Sequence, residues 1–385
     1  MLTADAVVVG AGVVGLSVAY HLAAGGAGKV LILEKEAGAG WGETSWCTGG
    51  IRHQFSSAVH VELTRMSLPF FQHLDEETGV ISEFSQTGYL FLAAGDSAWH
   101  TLREAAELQR SLQVPVELLD SEKIKDLFSE LRTEDLLGGT FCALDAQISP
   151  AAVVEGWLRL LRRYRRAQVL FDEPVKGIAE EKGGTLLVES KRDRVSAPVV
   201  VNAAGPWAAE IASMLQTELP VSVHPRQVMV LKKLEELNRP LPLTVDMDSG
   251  WYLHRSGGGE LLTGGADKDA PPGWDRNVDW EKVRRVLEAG AHRLPLLEKA
   301  EVARAYVGLR SMSPDGCGIL GGIPEKPGFY AACGFSGHGF MHSPAIGRLL
   351  AEIILEGKPR GGLDIGLLSP ERFGKESKQE ERCLF

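Results

Sequence analysis

Residues 10–15 read Gly-Ala-Gly-Val-Val-Gly, and their surroundings leave few folds open. Residues 5–10 before them are a short apolar run of the kind a buried parallel strand requires. After them Leu16, Ala19, Tyr20 and Leu22 recur at helical spacing, and 29–33 form a second apolar strand that ends on Glu34. In a strand-turn-helix-strand unit each glycine has a task. Gly10 makes the tight turn, Gly12 lets backbone approach a pyrophosphate, and Gly15 allows helix to pack on strand. Glu34 lies 19 residues beyond Gly15, where an acid accepts hydrogen bonds from a ribose diol. The pattern does not separate one dinucleotide from another, although an acid at Glu34 disfavours a 2′-phosphate.

Composition excludes several classes of function. A net charge of −10 opposes non-specific nucleic-acid binding, which needs a basic face. The 44 glycines fall in clusters, as turns and close ligand contacts require, rather than in a low-complexity tract. The five cysteines, Cys47, Cys142, Cys317, Cys333 and Cys383, form no C-x-x-C pair and read as free thiols of a reducing compartment. The N-terminus lacks the features of a secretory signal, and no apolar run reaches the ~20 residues that span a bilayer. Cys383 stands third from the end, out of place for prenylation. The expectation is a cytoplasmic protein without a transmembrane segment.

Three later segments carry a resemblance. Residues 38–52 are rich in glycine and hydroxyl residues and end Gly49-Gly50-Ile51-Arg52. Residues 199–207 read Val-Val-Val-Asn-Ala-Ala-Gly-Pro-Trp, and 334–344 read Gly-Phe-Ser-Gly-His-Gly-Phe-Met-His-Ser-Pro. Together they resemble the D-amino-acid oxidase-like FAD-dependent oxidoreductase superfamily. Within it, 49–55, the strand Gln86-Thr87-Gly88-Tyr89-Leu90-Phe91-Leu92 and Met341 are most similar to the sarcosine oxidase β-subunit and L-proline dehydrogenase β-subunit group. The resemblance implies a non-covalent FAD. Its contacts would be Gly10, Gly12, Val14 and Gly15; Glu34 and Lys35; Thr44, Ser45, Gly49 and Gly50. Val175 would follow, then Ala203, Ala204, Gly205 and Trp207, then Gly308 and Arg310. The last segment would clamp the flavin through Gly334, Ser336, Gly337, His338, Gly339, Phe340 and Met341, ahead of a helix at 345–355.

The implied fold is α/β: a dinucleotide-binding, Rossmann-like FAD lobe interleaved with a substrate lobe built on a mixed or antiparallel sheet. The FAD lobe takes 1–80, 145–215 and 305–385, and the substrate lobe 81–144 and 216–304. Alternating strands at 88–93, 221–231, 250–255 and 260–264 support that sheet. A helix over 151–166 ends in a basic run, Gly257-Gly258-Gly259 makes a hairpin turn, and the polar tail from Lys375 is read as frayed.

The chemistry implied is transfer of a hydride from the α-carbon of a small amine or amino acid to flavin N5, giving an imine that water hydrolyses. A guanidinium suits the substrate carboxylate because it donates two parallel hydrogen bonds. Arg52 stands where monomeric sarcosine oxidases carry such an arginine, and Arg310 falls in the related motif at 308–316. For both, a structural salt bridge or a cofactor contact stays open. Tyr252 and His254 share a strand face expected at the substrate cavity, and His53 flanks Arg52 as a possible base. Three departures matter. Gly308 replaces the cysteine that tethers flavin in monomeric sarcosine oxidases, Met341 replaces a lysine, and Leu262 replaces the lysine that activates oxygen. The first opposes a covalent tether and the second removes one carboxylate partner; the third removes a cation near flavin N5 and so favours a dehydrogenase that passes electrons to a partner subunit or carrier over an oxygen-using oxidase. A flavin-binding assembly or scaffold protein is the alternative from another class, and a nicotinamide dehydrogenase the third.

Overall fold

A computed structural model of the chain describes residues 1–256, 258–265, 271–374 and 380–383. The N-terminal unit forms as its spacing dictates. Strand Ala6–Val9 leads through the glycine turn into helix Val13–Ala24, which returns to strand Val30–Leu33. Every residue of both strands is buried, because the sheet is covered on both faces. Its six strands lie in the order Ile319–Gly322, Phe329–Cys333, Val199–Asn202, Ala6–Val9, Val30–Leu33, Ala167–Leu170. All pairings are parallel except that of the first two.

One face of this sheet carries helix Val13–Ala24 and the long helix Gly339–Glu356. These helices touch closely enough that a Cβ on Gly347 would overlap Ser17. The other face carries helix Ala208–Ser213 and a four-stranded sheet whose edge is Leu2–Thr3. The second large sheet has eight strands and is mixed. Its order is Val302–Met312, Ser222–Leu231, Leu261–Gly265, Trp251–Arg255, Leu243–Asp246, Tyr89–Ala93, Gly138–Cys142, Val116–Leu119. Only the pair Leu243–Asp246 and Tyr89–Ala93 is parallel. The α/β architecture with a mixed second sheet is therefore as expected. A division of the chain at residue 305 runs through strand Val302–Met312, which pairs along its length with Ser222–Leu231.

Three local expectations are corrected. The helix expected at 151–166 is Pro150–Leu161, capped by Ser149 Oγ accepting from the Ala152 N–H. The Leu160 and Leu161 carbonyls accept from Arg163 and Tyr164, closing a tight turn that feeds strand Ala167–Leu170. The helix expected at 345–355 starts six residues earlier, at Gly339. Pro344 lies inside it, and a proline there reads in sequence as a boundary because it removes one helical hydrogen bond. In the tail, Glu381 and Cys383 are buried rather than frayed; residues 375–379 and Gly257 of the expected hairpin turn lie outside the described residues. Among the described residues no helix is long and apolar enough to cross a membrane.

Candidate active site

Both large sheets wall one cavity of about 580 Å³. At its N-terminal side Gly10 turns the chain at φ 103°, and a Cβ there would lie 2.7 Å from the Ala203 carbonyl oxygen. A Cβ on Gly15 would overlap the Gly10 carbonyl, so the turn and the helix are mutually fitted. Gly15 thus supports the cavity from behind, while Gly10, Gly12 and Val14 line it. Gly12 is the N-cap of helix Val13–Ala24 and has no side chain to satisfy the first-turn amides. Thr44 Oγ1 accepts from the Val13 N–H at 3.3 Å and joins the wall. Ser45, its neighbour, is exposed, and its hydroxyl donates to the Gly42 carbonyl instead.

Glu34 is buried at the end of the second strand. One carboxylate oxygen accepts from the Ala11 N–H at 2.6 Å, the other from the Glu36 N–H at 2.9 Å. A carboxylate has about four acceptor positions, so capacity for a ribose diol remains. The Lys35 ammonium sits 3.3 Å from the Trp207 ring centroid, and both line the cavity with Val175, Ala203, Ala204 and Gly205.

The second helix to open on the cavity is Gly339–Glu356. Its N-cap is His338, again with no side-chain cap, and Ser336, Gly337, Gly339, Phe340 and Met341 line the wall beside it. Gly334 turns the chain out of strand Phe329–Cys333 at φ 66° without reaching the cavity. Two helix N-termini aimed into one cavity favour negative charge there, from phosphate at one and from an electron-rich ring at the other.

The cavity also gathers Arg52, Arg310 and Tyr252. Arg52 is 3% exposed and follows the short strand Gly50–Ile51. Its guanidinium lies 3.9 Å from the Phe55 ring centroid, donates to the Gln54 carbonyl, and donates to the Cys383 carbonyl at 2.7 Å. Burial lowers its pKa from the ordinary arginine value. Arg310 rests on the clamp turn, where a Cβ on Gly337 would come within 2.8 Å of its Nε. Burial, then the charges of Arg226 and Arg52, bring the Arg310 pKa down to about 10. The Tyr252 ring lies across Gly264, its antiparallel partner, where a Cβ would overlap it. Burial raises its pKa far above the usual phenol range.

The two expected histidines are held elsewhere. His53 is adjacent to Arg52 but does not line the cavity; it meets Asp145, whose Oδ1 lies 2.8 Å from His53 Nδ1 and accepts from the His53 N–H at 2.7 Å. Cys142 offers a third ligand atom within 4.8 Å, but Gln54 Nε2 already occupies the other Asp145 oxygen at 3.1 Å. The cluster is a hydrogen-bonded brace for 52–54. His254 shares the Tyr252 strand face but hydrogen-bonds the Thr48 carbonyl at 2.6 Å, and burial lowers its pKa to about 4. Gly49 turns at φ 83° behind the wall, whereas Gly50 lines it. Gly308 lines it with its Cβ direction toward Trp46, and Leu262 packs into the sheet with Val228, Val230 and Tyr306.

Sequence reading missed Tyr89, Cys47 and Arg226, all of which line the cavity. Tyr89 is fitted against Gly50, where a Cβ would overlap its hydroxyl. Burial raises its pKa well beyond the ordinary phenol value, and pushes the Cys47 thiol up to about 11. Neither is an anion at neutral pH.

A glycine turn, an acid ending the second strand, and two uncapped helix N-termini around one cavity define a dinucleotide-binding protein. FAD fits these residues: the turn is a cradle that a Cβ at Gly10 or Gly12 would narrow, and a second helix N-terminus serves a ring beyond the diphosphate. The chain belongs to the FAD dependent oxidoreductase (DAO) family, whose sequence model matches residues 5–353. It is 28% identical to mitochondrial dimethylglycine dehydrogenase of Mus musculus, a match that takes in 97% of this chain and 44% of that protein. The chain thus spans less than half the length of that relative. FAD-dependent oxidoreductase domain-containing protein 1 of Bos taurus is 30% identical, over 99% of this chain and 87% of its own. Among solved structures, L-proline dehydrogenase from P. horikoshii superposes with a TM-score of 0.90 at 28% identity, covering 97% of this chain and 98% of that one.

Proposed function

We propose that the protein oxidises a small secondary amino acid, of the sarcosine or proline type, to the imine and passes the electrons to a partner subunit or carrier. The observation that carries this reading is the buried Arg52 guanidinium in the cavity wall, beside Arg310 and the Tyr89 and Tyr252 hydroxyl-bearing rings. Similarity to a dimethylglycine dehydrogenase and an L-proline dehydrogenase supports the N-substituted substrate class and the same subgroup. When bound, FAD supplies the hydride acceptor. The chain supplies position. Arg52 takes the substrate carboxylate through two-point hydrogen bonding, and Arg310 on the clamp turn is the second cation of the pair. Tyr252 and Tyr89 stay protonated and donate or accept hydrogen bonds at the substrate amine or carboxylate. No acid of the cavity is needed as a base if the amine arrives neutral, and burial excludes competing water.

The test is Arg52→Lys, which keeps the charge and loses the fork. Catalytic efficiency toward the best carboxylate substrate should fall by about 10–1,000-fold, roughly 1.4–4 kcal/mol of transition-state binding, with FAD content unchanged. An amine without a carboxylate should be nearly indifferent. Parent-like oxidation of the carboxylate substrate by this variant would end the reading. Absence of turnover on any amine with a dye acceptor would favour an assembly role instead.

The same reading has FAD held without a covalent bond, since Gly308 offers no thiol. Acid precipitation should release all the flavin into the supernatant. Yellow protein in the pellet would contradict this and direct attention to Cys47, which lines the cavity.

A further inference from the structure

The described end of the chain, residues 380–383, is stitched to the segment that follows Arg52. Glu381 is 2% exposed. Its Oε1 accepts from the Ser56 N–H at 2.8 Å, the Ser56 hydroxyl at 2.7 Å and the Cys383 N–H at 3.0 Å. Its Oε2 accepts from the Ser57 hydroxyl at 2.8 Å and lies 3.4 Å from His60 Nδ1. The Arg382 N–H donates to Ser56 Oγ at 2.8 Å, and the Glu381 N–H to the Asp315 carbonyl at 3.2 Å. Asp315 is itself fixed by a two-point ion pair with Arg372, at 2.6 and 2.9 Å. Burial alone would raise the Glu381 pKa, but the His60 and Ser56 hydrogen bonds outweigh it and hold it at about 2. So anchored, the tail delivers one group to Arg52: the Cys383 carbonyl, 2.7 Å from one of its terminal nitrogens.

This arrangement is more than a cover over the core. A solvated tail needs no buried carboxylate, and burying one is costly unless each oxygen finds donors, as these do. What the anchoring sets is the orientation of a guanidinium whose usefulness depends on angle, because a forked hydrogen bond fails when the plane turns. We propose that Glu381–Cys383 form a positioning strap: Glu381 pins the tail to Ser56, Ser57 and His60, and the Cys383 carbonyl thereby aims Arg52 at the substrate carboxylate. This rests on the reading of Arg52 given above.

The experiment uses the flavin-loaded full chain and the variants Glu381→Ala, Glu381→Gln, Ser57→Ala and Arg52→Lys. The readouts are FAD content, the dissociation constant of pyrrole-2-carboxylate from the flavin difference spectrum, and KM and kcat for L-proline and for pyrrolidine. Glu381→Ala should weaken pyrrole-2-carboxylate binding and raise the KM for proline, each by about 10-fold. It should leave the pyrrolidine KM within about twofold and FAD content intact. Glu381→Gln keeps an acceptor for Ser56 and Cys383 and should recover most of the loss. Ser57→Ala, which removes one anchor, should give a two- to threefold effect in the same direction and serves if Glu381→Ala does not fold. In an Arg52→Lys background, Glu381→Ala should add nothing. Unchanged carboxylate binding, an equal rise in KM for both substrates, loss of FAD, or an undiminished effect in the Arg52→Lys background would each overturn the strap. If Arg52→Lys alone leaves carboxylate binding intact, the reading of Arg52 fails first, and the strap falls with it.

Discussion

Gly12→Val should purify as folded, colourless protein. A Cβ at Gly12 meets only Thr44 Oγ1, at 3.3 Å, so the polypeptide itself has room for a side chain there. That room is the cavity at the N-terminus of helix Val13–Ala24, where backbone must approach a pyrophosphate. Two added methyl groups would hold the diphosphate off the amides and cost at least about 3 kcal/mol of cofactor affinity, over 100-fold. The absorbance near ~450 nm should fall below about a tenth of the parent's per chain, while circular dichroism stays native. Gly15→Ala should do the reverse. Its Cβ would overlap the Gly10 carbonyl, a backbone atom with nowhere to go, so the fold should suffer before the flavin site does. A fully yellow Gly12→Val would mean that the phosphates lie elsewhere, and a stable, soluble Gly15→Ala would mean that helix and turn are not fitted as described.

Acid should destabilise the protein steeply from pH 6.5 downward. His21, His254, His338 and His342 all have their pKa kept below the ordinary 6.5, with burial the leading cause at each, to about 4 for His21 and His254 and well below 6.5 for the other two. Neighbouring positive charge from Arg52 adds to the effect at His338 and His342. As pH drops through 6.5, an unfolded imidazole binds a proton that the folded chain refuses, so stability is lost until the folded values are reached. His254 contributes roughly 2 kcal/mol by pH 5, enough by itself to lower Tm by about 2–4 °C between pH 7 and pH 5, and the other three act in the same direction. His342→Leu removes one of the four, and Thr64 keeps the Arg52 carbonyl as acceptor at 2.7 Å. With FAD saturating, this variant should show a shallower acid slope. An identical slope would show that burial of this imidazole is not what the pH senses.

What the sequence revealed of the site follows the range of the interactions. The strand, glycine turn, helix and acid of residues 6–34 were legible because each meets the next within one supersecondary unit. Lys35, Thr44 and Trp207 were legible because they sit beside such units. Tyr89 and Arg226 were not, since they become walls only when the eight-stranded sheet pairs its distant strands. His53 lies off the cavity because its ring is taken by Asp145, 92 residues later and beyond the reach of any local pattern. The tail misled because Glu-Glu-Arg is a solvated composition. Its burial depends on donors at Ser56 and Ser57, over 320 residues earlier, and no local pattern reports such a partner.

Growth of the chain on the ribosome meets a difficulty in the six-stranded sheet. Strand Ala6–Val9 pairs on one side with Val30–Leu33, available at once, and on the other with Val199–Asn202, which is made almost 200 residues later. At roughly 5–20 residues per second that is an interval of about 10–40 s with a bare valine edge, a template for wrong pairing. The next neighbour, Phe329–Cys333, and the helix Gly339–Glu356 that covers one face come later still. Over that interval the valine edge is the segment of the sheet most open to wrong pairing. Flavin has no complete seat until that helix has emerged, so cofactor loading belongs to the end of synthesis rather than its course.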